Sequence, residues 1–317
     1  MTGEFFISLT DSFMPPDTII IKGESEVLTA CSIAQITGQT KTGKTKVLMD
    51  IVASCFGKPS SVGLSVNRCP DDKAVLYVNT EMHTYDFWDY LKKVHSLTNR
   101  KEQIPNLHFL NAINQSQKTI VEKIIGFCKE KKPYLIVIDG IVDLIEDFND
   151  PQKSKDGVNT LMSLSTLYSC GIIVALHQNP SVTQNQFSKS RGHLGSHLEQ
   201  KAVSTLVTTK NESTQVFTLF CNKIRRGTSF KVSFIYDKNA DWISSLSSTS
   251  DEDKVYDILI QLLEDSEEPL RQSEVVSKLV EETKLSQPTI SRRITEYVHQ
   301  GLIQKQGLNK NITLSLN

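Results

Sequence analysis

The sequence predicts an α/β fold with a mostly parallel sheet flanked by helices, followed by a small helical domain. Three observations carry that expectation. Residues 74–79, 134–139 and 171–177 are apolar runs that close on polar residues and alternate with stretches of helical periodicity. Strands covered on both faces read as such continuous runs, whereas a sheet with one wet face alternates. Residues 38–45 spell G-x-x-x-x-G-K-T between a β-branched run and a helical pattern, the strand–loop–helix setting of a phosphate-binding loop. A Ser/Thr-rich tether at 244–251 then separates a stretch of different composition.

At 317 residues the chain is long enough for one large core and a small appended domain. Hydrophobic content of 38% and charged content of 22% are those of a globular chain. Thirty-five basic and 36 acidic residues give a net charge of -1, so any nucleic-acid contact must come from local patches. The six cysteines are scattered, with no C-x-x-C, and read as small core residues in a reducing compartment. No apolar run reaches membrane-spanning length, and the first residues lack a basic signal-peptide start; a cytoplasmic chain without membrane partners is expected.

In chain order, residues 1–30 form a lead-in with apolar pieces at 5–7 and 18–21. Residues 32–37 read as a buried strand, and Val47, Leu48, Ile51, Val52 and Cys55 mark a helix over 46–56. A Gly/Pro/Ser/Asn-rich loop spans 57–72. Strand 74–79, helix 85–97, strand 107–110, helix 119–130, strand 134–139, helix 158–168 and strand 171–177 follow. Residues 179–196 are expected as a long polar loop. Runs at 202–208, 216–222 and 231–236 suggest antiparallel pairs at one sheet edge. The expected division is a first domain at 1–243, a linker at 244–252 and a second domain at 253–317.

Gly38, Gln39, Thr40, Lys41, Thr42, Gly43, Lys44 and Thr45 form the phosphate cradle. Loop N–H groups and the positive end of the next helix converge on a polyphosphate. Lys44 is placed to reach the β and γ phosphates of ATP, and the Thr45 hydroxyl to hold Mg²⁺. Asp139, closing an apolar strand downstream of that loop, is the second Mg²⁺ ligand. Gly140 follows it, so no carboxylate stands directly beside the metal acid. Glu81, at the tip of the strand after the loop's helix, is the remaining base for activating water.

These residues, with a strand ending in His177-Gln178, resemble the RecA/DnaB-type P-loop ATPase core over roughly residues 18–240. More narrowly they resemble the RepA-like hexameric replicative helicases of plasmids and mobile elements. The resemblance implies a RecA-like core in which His177 and Gln178 sense the γ phosphate. It implies that Lys189 and Arg191 lie in a loop facing a central channel and touch single-stranded DNA. It also implies that Lys223 and Arg225 enter the neighbouring subunit's active site as fingers, with Arg226 as the fallback, in a hexameric ring.

Beyond the tether, Val255, Ile258, Leu259 and Leu262 mark one helix and Val275, Val276, Leu279 and Val280 a second. Ser286 as N-cap and Pro288 in the first turn open a third, and residues 302–307 and 311–316 read as a hairpin. The stretch resembles a winged helix-turn-helix. Gln287, Thr289, Ser291, Arg292 and Arg293 would lie on or near its recognition face, with Lys305 and Lys310 in the wing, toward duplex DNA. Acids outnumber bases over 251–317, so a protein-docking role stays open. The expected activity is an ATP-driven DNA motor or helicase. The alternatives are a DNA-binding regulator whose hydrolysis is an assembly switch and a recombination mediator.

Overall fold

A computed structural model describes residues 9, 12–100, 102–178, 192–212, 214–245, 255, 258–259, 262–263, 266, 268–299, 303–307 and 312–316. The chain divides into two compact units, Met1–Ser245 and Leu246–Asn317.

The first unit opens with β1 (Thr18–Lys22) and β2 (Ser25–Thr29), an antiparallel pair. With β4 (Ser65–Val66) they make a separate three-stranded sheet in the order β2-β1-β4. The lead-in is therefore a small sheet of its own, and the loop expected over 57–72 supplies one of its strands. Ile19, Ile20, Val27 and Leu28 face the main core with no exposed surface.

The main sheet has nine strands: β3 (Ser32–Gly38), β5 (Ala74–Asn79), β6 (Leu107–Asn111), β7 (Pro133–Asp139), β8 (Gly171–His177), β9 (Ser204–Lys210), β10 (Phe217–Ile224), β11 (Lys231–Asp237) and β12 (Trp242–Ser245). Their order is β12-β11-β10-β9-β3-β8-β7-β5-β6. Strands from β9 to β6 are all parallel to their neighbours, and β10, β11 and β12 add an antiparallel edge.

Alternate residues of the parallel strands feed two cores, because successive side chains leave a strand on opposite faces. Val75, Tyr77, Leu135 and Val137 join α1 (Lys44–Ser54) and α2 (Thr84–Leu97). Leu76, Val78, Ile136 and Ile138 join α3 (Gln117–Glu130), α4 (Pro151–Leu167) and α5 (Gly192–Lys201). Burial on both faces accounts for the uninterrupted apolar runs.

The three runs expected as antiparallel pairs at one sheet edge are β9, β10 and β11, and they pair in that way. On its other side β9 is parallel to β3, because α5 carries the chain back across the sheet before it. Two expectations need correcting. Residues 192–196 open α5 instead of extending a loop, with Leu194 and Leu198 buried one turn apart. α4 begins at Pro151, seven residues before the expected start; Asp150 caps it by accepting from the Lys153 N–H at 2.8 Å. Its first turns are mostly exposed and polar, so apolar periodicity does not mark them.

In the second unit, residues 255, 258, 259, 262 and 263 are helical. α6 (Gln272–Thr283) and α7 (Gln287–His299) follow. Ser286 caps α7, accepting from the Thr289 N–H at 3.4 Å. β13 (Leu270–Arg271), β14 (Ile303–Gln306) and β15 (Thr313–Leu316) form an antiparallel sheet in the order β13-β15-β14. Val255, Leu259, Val276, Leu279, Ile290, Ile294, Ile303 and Leu314 close an independent core. Among the described residues, no helix is long and apolar enough to cross a membrane.

Candidate functional site

The parallel strands end within two residues of one another, Asp139 lying beside Ala175, and that alignment builds the site. Gly38 pairs with His177, and Asn79 with Asp139, so β3, β5, β7 and β8 present their carboxyl ends along one edge. Such an edge is where ligands enter an open α/β sheet.

The loop over 38–45 leaves β3 and turns into α1. A Cβ on Gly38 would lie 2.4 Å from the Thr208 carbonyl oxygen on β9, so only glycine lets the chain pass there. Gly43 takes φ 92 directly before α1, a left-handed conformation that glycine accepts without strain. The Thr42 hydroxyl donates to the Gln39 carbonyl at 2.8 Å and lies 2.8 Å from the Thr208 hydroxyl. The loop is thereby tied to β9 as well as to its own strand.

Thr40, Lys41, Thr42, Gly43, Lys44, Thr45, Glu81, Asp139 and His177 line one cleft of about 370 Å³ with Lys46, Tyr90 and Phe217. The Lys44 ammonium donates to the Gly38 and Gln39 carbonyls at 3.0 and 2.8 Å and lies 3.3 Å from His177 Nδ1. His177 Nε2 lies 3.1 Å from Glu81 Oε2. An ammonium only donates, so Nδ1 accepts and Nε2–H is left to donate to the carboxylate. Lys44, His177 and Glu81 thus form one chain of hydrogen bonds. Burial lowers the Lys44 pKa, opposed by the carboxylates of Glu81 and Asp139. The bond from His177 is the main reason the Glu81 carboxyl is held below its usual range; burial acts against it.

Asp139 is 3% exposed, and its Oδ2 accepts from Thr45 Oγ1 at 2.7 Å and from the Tyr77 hydroxyl at 2.8 Å. Burial pushes the Asp139 carboxyl up, while those two donors pull it down. Tyr77 is fully buried on β5 and stacks on Phe109; burial and the adjacent carboxylate push its phenol well up. It therefore donates and stays neutral. Sequence reasoning missed Tyr77, although a single hydroxyl in an otherwise aliphatic strand was the available signal.

A hydroxyl and a carboxylate at one point are hard oxygen ligands and could hold a small divalent cation. Among the described residues no three His, Cys, Asp or Glu side chains gather as a cation cage. Such a cation would complete its shell with water and bound phosphate oxygens. The Gln178 N–H donates to the Gly38 carbonyl at 3.2 Å, placing that residue's backbone against the loop.

Lys223, Arg225 and Arg226 stand elsewhere. Lys223 pairs with Thr205, level with Gln35, and the Arg225 N–H bonds to Val203, whose N–H reaches Ile33. They sit three to five strand residues, roughly 10 to 17 Å, back from Gly38 toward the opposite sheet edge. Lys223 pairs with Glu199 at 2.8 Å, Arg225 donates to the Gln200 and Lys201 carbonyls, and Arg226 pairs with Glu26 at 3.1 Å. Lys189, Arg191 and Lys310 lie outside the described residues. In the second unit Gln287, Arg292 and Lys305 are exposed, and Thr289, Ser291 and Arg293 half-buried. No protein-family model matches the chain, and no curated protein matches it.

Proposed function

We propose that this chain is an ATP-hydrolysing DNA motor with a RecA-like core, of the RepA-like hexameric helicase kind. Its first unit would act as an oligomeric ring on single-stranded DNA, with duplex recruited by a winged helix formed by the second. The observation that carries the reading is the gathering of Lys44, Thr45, Glu81, Asp139 and His177 in one cleft at the strand ends.

In this reading Lys44 exchanges the two loop carbonyls for phosphate oxygens, and Thr45 and Asp139 would hold Mg²⁺. The charge neutralisation that phosphoryl transfer needs would come from that ion when bound. Glu81 orients water and takes its proton. Moving Lys44 onto phosphate removes the donor from His177 Nδ1, so the ring that bonds Glu81 is freed to respond to the γ phosphate. Lys223 and Arg225 lie too far back to complete their own site, which favours action on a second copy.

The test is ATP turnover with and without single-stranded DNA. Hydrolysis should rise with DNA and vanish in Lys44→Ala and Glu81→Gln. Arg225→Ala should lose hydrolysis while keeping nucleotide affinity, because the missing guanidinium acts on charge that develops in the transition state. Identical turnover with and without DNA would overturn the motor and leave the assembly switch.

A further inference from the structure

Glu81 stands on an irregular turn, residues 80–82, between β5 and α2, and its side chain keeps 40% of its surface. A long, half-open side chain on such a turn ordinarily samples many rotamers. Among the described residues the one hydrogen-bond partner of its carboxylate is His177. In the proposed reading that ring turns toward the γ phosphate, so the carboxylate loses this brace at the moment it has to hold water.

The residues on either side of Glu81 are fixed far more firmly than its exposure suggests. Asn79 has no exposed surface. Its Oδ1 accepts from the Met82 N–H at 2.8 Å and its Nδ2 donates to the Met82 carbonyl at 2.8 Å, so one carboxamide grips both polar groups of one residue. Nδ2 also donates to Asn111 Oδ1 on β6 at 3.1 Å, and Asn111 Nδ2 donates to Thr84 Oγ1 at the head of α2 at 2.8 Å. Both donors of Asn79 and its acceptor are therefore used, which is what makes a buried carboxamide tolerable in an apolar strand. Thr80, also buried, closes the other side. Its hydroxyl reaches the Asp139 and Gly140 carbonyls at 3.2 and 2.9 Å, and its N–H donates to the Asp139 carbonyl at 3.2 Å. Gly140, at φ 106, leaves the room this needs: a Cβ there would meet the Thr80 hydroxyl and lie 2.9 Å from Glu81 Cγ.

We infer that Asn79 and Thr80 are positioning residues, which clamp the backbone on both sides of Glu81 and hold its carboxylate beside the end of β7 when His177 lets go. This rests on the proposal that Glu81 activates water. Neither Asn79 nor Thr80 lines the cleft, so each acts through Glu81 and touches no nucleotide.

Steady-state turnover tests it, beside fluorescence-measured affinities for ADP and for ADP with aluminium fluoride, a mimic of the transferring phosphoryl group. Thr80→Val keeps the side chain's shape and removes its hydroxyl bonds. Its kcat should fall about tenfold to a hundredfold, with KM and ADP affinity within about twofold of wild type, since misplacing a reacting group costs rate and not binding. Affinity for ADP with aluminium fluoride should fall with kcat, because that complex needs the attacking water held in line. Thr80→Ser, which keeps the hydroxyl, should restore both. Asn79→Leu should match Thr80→Val; because position 79 is fully buried, Thr80→Val decides where Asn79→Leu does not fold. Wild-type kcat in Thr80→Val, with Glu81→Gln inactive, would overturn the clamp and leave the parent reading intact. Equal losses of kcat and ADP affinity would also overturn it, since they mark a general loosening of the site. A Glu81→Gln variant that turns over at the wild-type rate would overturn both.

Discussion

Three side chains divide the chemistry of the cleft between them. Lys44 and Glu81 are joined through His177, and the bond from that imidazole keeps the Glu81 carboxyl ionised to unusually low pH. Replacing His177 by Ala removes the lowering contribution, so the acid limb of kcat should move to higher pH. A carboxyl depressed in the folded state adds stability that is full above its unfolded pKa of about 4.3 and is lost as pH falls through the folded value. The gap in urea midpoint between wild type and His177→Ala should therefore close as pH falls from the unfolded value through the lower folded one. Residue chemistry was legible only in part. Lys44, Thr45, Glu81 and Asp139 were readable from spacing and strand ends. Tyr77 was not, because its value lies in a contact with Asp139, 62 residues away.

Elements constrain the loop more tightly than its motif suggests. Gly38 ends β3 hard against the Thr208 carbonyl of β9, and a backbone atom cannot step aside for a methyl group. Gly38→Ala should cost about 1–3 kcal/mol by overpacking. Gly126 in α3 has nothing within 4 Å of a built Cβ, so Gly126→Ala should stabilise by about 0.5–1 kcal/mol. Chemical denaturation of the two variants should show opposite signs. α1 is anchored at its other end by fully buried Asp50, which accepts from Lys58, Ser60, the Ser61 N–H and Trp242 Nε1. That carboxylate ties the loop's helix to β12, the last strand of the unit. Periodicity located α1, α2 and α3 to within a few residues. It missed the polar start of α4 and the opening of α5, because capping and tertiary cover, not apolar spacing, define those ends.

Each unit encloses its own core, so each should fold alone. Residues 1–245 by themselves should bind nucleotide with full-length affinity and keep DNA-stimulated turnover, while duplex retention should stay with residues 246–317. That retention should weaken steeply with salt, since phosphate contacts release counterions. A truncated first unit without nucleotide affinity would show that the units depend on one another. By itself the sequence determined the α/β class, the glycine-spaced loop between β3 and α1 and the acids at strand ends. These are local matters: a run of apolar residues, a glycine spacing and a carboxylate after a strand each occupy one short segment. Only the tertiary structure decided the strand order, the direction of β9, the Tyr77 bond and the distance of Lys223 and Arg225 from Gly38. Those follow from which segments lie side by side, and pairing between residues far apart in the chain leaves no mark on either segment alone.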